Sequence, residues 1–182
     1  MGRQRGEWWA VSVCTVDGQR FSYGEHSRPF CVQAGCKVVN YALALEELGP
    51  SVVHEYVGQE PSGRMSNELT LDYDRKPHNP MINAGAIVVC SLIKQNRPLS
   101  DKYDHALKFY RRMAGGEYVS FNNSVFLSER CVSDRNYAIC YYLRENKCFP
   151  DGTNLEQIMD FYVQVCWFDI VITWGLFLYR IN

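Results

Sequence analysis

CVQAGCKVVNYALALEEL, residues 31–48, holds the strongest helix signal in a chain of 182 residues. From Lys37 on, Val38, Val39, Ala42, Leu45 and Leu48 recur at helical spacing and predict a buried stripe. Gly49 and Pro50 then stop the helix. Lys37 falls in the first turn, where the positive end of the helix dipole disfavours a cation. On these residues alone, two readings of Lys37 stand open. It is either a solvated surface lysine or a lysine held in a site, deprotonated by burial and serving as a base. In the second reading Gln33, Ala34 and Gly35 line the same cleft, with backbone N–H groups at the helix start free to hold an oxyanion.

Upstream, the β-branched run WAVSVCTV (residues 9–16) meets Asp17-Gly18 and is followed by QRFSYG. That pattern predicts a β-hairpin, because Asp-Gly suits a tight turn with positive φ. Two strands alone are marginal in water, so the hairpin should lie on a larger sheet or a helical layer. Downstream, Ser51 is expected to cap a short helix ending at Gly58, and residues 59–80, with four prolines or glycines, read as loop. Asn83 is placed to cap a deeply buried helix of small apolar residues, Ala84 to Val89. Ser100 should cap an amphipathic helix that turns Tyr103, Ala106, Leu107, Tyr110 and Met113 inward and stops at Gly115. Residues 122–145 carry one or two helices, and Thr153 with Glu156 forms a capping box for a last helix reaching about Val165. A hairpin followed by helices suits α+β or mostly α, not alternating βαβ units. The terminal CWFDIVITWGLFLY (Cys166 to Tyr179) is apolar and β-prone, with no evident partner strand, and would be an aggregation hazard if exposed.

Hydrophobic residues make up 47% and charged residues 21%, a globular composition, and the net charge is -1. No basic run points to nucleic acid. The four histidines (His26, His54, His78, His105) show no ligand spacing, so neither a metal nor a cofactor is expected. No run reaches the roughly 18 to 20 apolar residues needed to span a bilayer. The 8 cysteines include no CxxC pair and mostly sit in apolar runs; with no signal peptide visible, they read as reduced, buried thiols of an intracellular protein.

At PFCVQAGCKVVNYALA (29–44), PHNPMINAGAIVV (77–89), SERCVSDRNYAICYYL (128–143) and KCFPDGTNLEQIMDFY (147–162) the chain closely resembles the glutaminases, specifically the animal kidney-type and liver-type enzymes. The similarity runs nearly without gaps from about Trp9 to about Cys166. It implies an α+β, β-lactamase/transpeptidase-like fold, mostly helical, with an N-terminal hairpin and an incomplete sheet. Residues 1–165 would be a partial catalytic domain, truncated at both ends relative to the family, and residues 166–182 a divergent apolar tail. The implied reaction is hydrolysis of L-glutamine to L-glutamate and ammonia through a Ser-x-x-Lys pair. The family also implies a homo-oligomer and a mitochondrial location, although no targeting segment is visible.

The resemblance carries residue by residue. Lys37 matches the catalytic lysine and Gln33 the glutamine before the nucleophile. Asn83, Glu129, Asn136 and Tyr162 match residues that contact glutamine. The nucleophile position is Ala34, where the family has serine, so turnover by this chain is not expected. Segment 62–71 matches a gating loop of the family, with Ser66 and Thr70 replacing apolar residues. A serine β-lactamase or transpeptidase is disfavoured by the absence of SDN and KTG signatures.

Overall fold

The computed structural model describes residues 9–170. Strands Ala10–Cys14 (β1) and Arg20–Gly24 (β2) form the expected hairpin, in register from Ala10 opposite Gly24 to Cys14 opposite Arg20. Gly18 supplies the positive φ (91°) that the turn requires. Among the described residues the hairpin makes a two-stranded sheet of its own. A second, three-stranded sheet brings together Phe30–Cys31 (β3), Val119–Phe121 (β4) and Phe168–Ile170 (β5). Its order is β3-β5-β4 and both pairings are antiparallel, with Phe30 and Val119 both opposite Ile170. The head of the apolar tail therefore does have partners, one on each side; the rest of that stretch lies outside the described residues.

The helices are Cys36–Tyr56 (α1), Asn83–Leu92 (α2), Leu99–Met113 (α3), Asn123–Cys131 (α4), Asp134–Glu145 (α5) and Leu155–Cys166 (α6). A single 3-10 turn, Gln33–Gly35, leads into α1. Helix α2 is buried from Ala84 through Leu92, as a helix apolar on every side must be, and packs against α1, α5 and α6. Gly85 is required there: a Cβ would lie 1.9 Å from the Asn79 carbonyl oxygen. The Tyr110 and Tyr103 rings of α3 meet Phe168 of β5 edge-on at 4.8 and 5.6 Å, seating the helices on the sheet.

Several local expectations shift. Helix α1 breaks at Gly49 (φ 79°, ψ 161°), and Pro50 opens the second segment, so Ser51 lies inside the helix and is not its cap. The buried face of α1 is Cys36, Lys37, Val39, Asn40, Leu43 and Ala44, whereas Val38 is 40% exposed. Because α1 packs on α2, α3 and α6, its inward stripe is wider than a simple periodic count and rotated away from Val38. Helix α3 starts at Leu99 without a side-chain cap, and Ser100 Oγ instead faces Asp101. Helix α6 is capped by Asn154, whose Oδ1 accepts from the Gln157 N–H at 3.0 Å; Thr153 bonds the Pro150 carbonyl, so the predicted box does not form. Of the cysteines, Cys36, Cys90, Cys140 and Cys148 are buried, but Cys131 is exposed.

Candidate active site

Lys37 is buried, with only 7% of its surface exposed, in the first turn of α1. Its Nζ donates to Asn83 Oδ1 at 2.8 Å, and Asn83 Nδ2 donates to Asn136 Oδ1 at 3.0 Å. One lysine and two amides thus form a continuous row across α1, α2 and α5. The helix start and the row explain one another. Asn83 is the first residue of α2, and its side chain, committed to Lys37 and Asn136, leaves helix capping aside; the Asn79 Oδ1 accepts from the Met81 and Ile82 N–H groups instead. The Asn83 backbone N–H is held by the Ser66 carbonyl at 2.8 Å, which ties the 62–71 segment to the row. Burial lowers the pKa of Lys37 below its ordinary value, so the proton-free amine is favoured relative to a surface lysine. The dipole of α1 acts in the same direction.

Tyr162, on α6, is 5% exposed; burial, reinforced by Cys166, raises its pKa and keeps it a phenol. Glu129, in the last turn of α4, is half-buried and lies within electrostatic reach of Cys31, three residues before Ala34. Gln33 takes a positive φ (46°), uncommon for a non-glycine residue, at the turn that starts α1. Gln33 and Ala34 are exposed at the rim and not buried with Lys37. Of the three backbone groups expected to be free there, the Gly35 N–H is taken by the Val32 carbonyl at 3.0 Å.

The glutaminase family profile matches residues 1–173. This chain belongs to the glutaminase family. It is 54% identical over 167 residues to a protein named putative glutaminase 2 from Caenorhabditis elegans, covering 91% of this chain and 28% of that protein. It is 48% identical over 166 residues to the mitochondrial liver isoform of glutaminase from Rattus norvegicus, again covering 91% and 28%. The solved structure of a probable glutaminase, ybaS, superposes with a TM-score of 0.82 at 29% identity, covering 91% of this chain and 53% of that one. The chain therefore spans little more than a quarter of the animal relatives and about half of the solved ybaS structure. The β-lactamase-like, α+β architecture expected from the sequence is the one observed.

This glutaminase-family chain also carries polar groups under the site that sequence reasoning passed over. Cys36 Sγ lies 2.9 Å from Cys166 Sγ, joining the foot of α1 to the end of α6. Tyr110 hydroxyl donates to Asn40 Oδ1 at 3.0 Å, and Asn40 Nδ2 reaches Cys90 Sγ at 3.7 Å. Burial pushes the Cys36 and Cys90 thiols well above the usual range, so both stay protonated at neutral pH. A second buried lysine, Lys102, donates to the Ile93 carbonyl at 2.7 Å and was anticipated by nothing but the amphipathic pattern that should have turned it outward. It lines a separate cavity of about 520 Å³ with Ser91, Gln95, Arg97, Asn154 and Gln157, to which none of the Lys37 row contributes.

Proposed function

We propose that the Lys37 row is the proton-transfer and substrate-gripping half of a glutamine amidohydrolase site, and that in this chain it binds L-glutamine without turning it over. The observation that carries the reading is the 2.8 Å bond from a buried lysine amine to an amide that in turn bonds a second amide. A lysine amine whose pKa is lowered by burial suits the base role in a Ser-x-x-Lys amidohydrolase. Asn83 and Asn136 offer amide N–H groups to a substrate carboxylate, the Glu129 carboxylate suits the substrate ammonium, and the Tyr162 phenol suits a hydrogen bond to either end. Gln33 stands beside the attacked position. Ala34 has no nucleophilic atom, so no acyl-enzyme forms. In a comparable nucleophile–base unit, loss of the serine costs on the order of 10⁶ in rate. Homo-oligomerisation and a mitochondrial location rest on family resemblance and form part of the same proposal.

Titration calorimetry with L-glutamine, run beside an ammonia-release assay, tests it. The expected result is a binding heat that Glu129→Gln weakens, with no ammonia above background. Ammonia release abolished by Lys37→Ala would show that turnover survives without the serine. The absence of any binding heat would favour the second reading, an inactive relative that acts only as a binding or oligomerisation partner, which the exposed alanine at the nucleophile position already supports.

A further inference from the structure

We infer that Cys36 and Cys166 are a redox-modification site, oxidised by a low-molecular-weight disulfide to a crosslink that latches the foot of α1 to the end of α6. The two sulfurs are 130 residues apart in sequence and 2.9 Å apart in space, closer than unbonded sulfurs pack in an ordinary core. A crosslink here asks the two sulfur atoms, now 2.9 Å apart, to approach by roughly 0.9 Å. Access is graded: Cys166 is half-buried, whereas Cys36 is fully buried. The order of steps follows from that. The Cys166 thiolate attacks one sulfur of oxidised glutathione, the S–S bond breaks, and one glutathione leaves as its thiolate and takes up the proton. Cys36 then gives up its proton, and its sulfur attacks Cys166 in the mixed disulfide and expels the second glutathione. Two protein thiols are oxidised, and one glutathione disulfide is reduced to two thiols. A third thiol, Cys90, is within electrostatic reach of Cys36 but is held by Asn40 and is fully buried, so it is the spectator of the three.

The latch sits directly beneath the lysine row, with Cys36 adjacent to Lys37 and Cys166 one helical turn from Tyr162. It does not depend on glutamine being the ligand. A 130-residue closed loop is long, and the chain-entropy account of crosslinking then gives a large gain. The test is to incubate the purified chain with oxidised glutathione, block the remaining thiols, and map the digest. The expected product is a Cys36–Cys166 crosslinked peptide, two thiols fewer on titration, and a melting temperature higher by roughly 10 °C. All three changes reverse with dithiothreitol and are absent in Cys36→Ser and in Cys166→Ser. Fragmentation of the crosslinked peptide must separate Cys36 from Cys31, because both fall in one tryptic peptide. A crosslink mapped to Cys31 or Cys90, a terminal glutathione adduct on Cys166 with no crosslink, or eight titratable thiols after oxidation would each overturn the inference. Since mapping is done on the unmutated chain, a serine variant that fails to fold leaves the decision intact.

Discussion

The hairpin and the α1–α2–α6 body are built by different means. The hairpin is specified locally: an Asp-Gly turn, a valine-bearing strand paired with an aromatic one, and a Ser12–Ser22 hydroxyl contact of 2.6 Å. One face of it, formed by Trp9, Val11, Val13, Phe21 and Tyr23, remains 46% exposed or more at every position. An Arg20–Glu117 ion pair of 3.0 Å links it to the segment before β4. The body is specified at long range: α2 is walled in on every side, and the sheet is made of two- and three-residue strands drawn from residues 30–31, 119–121 and 168–170. Local instructions suffice to shape a hairpin but bury little; the body's stability and its site both come from contacts between distant segments. Lys37 and Asn83 of the lysine row lie on α1 and α2, and Asn136 meets them from α5, which packs on α2.

The sharpest way to break this contrast is to cut a buried side chain in the body. Phe161→Ala on α6 removes a ring with 0% exposure and should destabilise by about 3–5 kcal/mol in denaturant titrations. A loss below about 1 kcal/mol would mean that α6 is not part of the core. Next in size is alkaline destabilisation. Burial raises Cys31 and Cys140 to about 12 and Cys148 to about 11, from an ordinary 9.0, and raises Cys36, Cys90 and Tyr110 in the same direction. These groups keep their protons in the folded chain after the unfolded chain has lost them. Their stabilisation is therefore complete below pH 9 and is lost as pH rises toward their folded values, each at up to about 1.4 kcal/mol per pH unit. Lys37 and Lys102 have lowered values and act oppositely, gaining stability as pH approaches 10.5, but they are outnumbered. Melting temperature should fall between pH 8.5 and 10; a flat profile would mean that the thiols are not buried.

The lysine row sharpens the contrast at the site. Asn83→Ala leaves a buried amine without its acceptor and should cost about 1–3 kcal/mol. Asn83→Asp places a carboxylate against the same amine, which should raise the pKa of Lys37 and restore part of the loss at neutral pH. Equal stability for both variants would detach Lys37 from Asn83.

How much of this was legible follows the same division. The hairpin could be read from the turn dipeptide and the β-branched run before it, but not its register: the ladder closes at Cys14 opposite Arg20 and leaves residues 15–19 as a loop longer than a tight Asp-Gly turn. Helix positions were legible, but their caps were not: α2 and α3 start without a side-chain cap, and at α6 Asn154 takes the place expected of Thr153. The inward face of α1 was mistaken at Val38, because three packing partners widen the stripe beyond what periodicity shows. The small sheet was illegible: strands of two or three residues carry no period. Family resemblance singled out Lys37, Asn83 and Asn136, where residue chemistry alone favoured a surface lysine and a helix cap. Cys36 and Cys166 escaped notice because nothing local joins residues 130 apart.

The smallest expected effect is the most direct check on the hairpin. Phe21, 63% exposed on the open face opposite Val13, has little to lose on truncation. Phe21→Ser should change unfolding free energy by no more than about 0.5 kcal/mol. It should at the same time reduce concentration-dependent self-association, measured by light scattering, because it breaks the apolar patch beside the exposed edge of a two-stranded sheet. If the same substitution instead costs as much as Phe161→Ala, the hairpin face is covered in solution. The local and long-range parts of the fold would then be one cooperative unit rather than two.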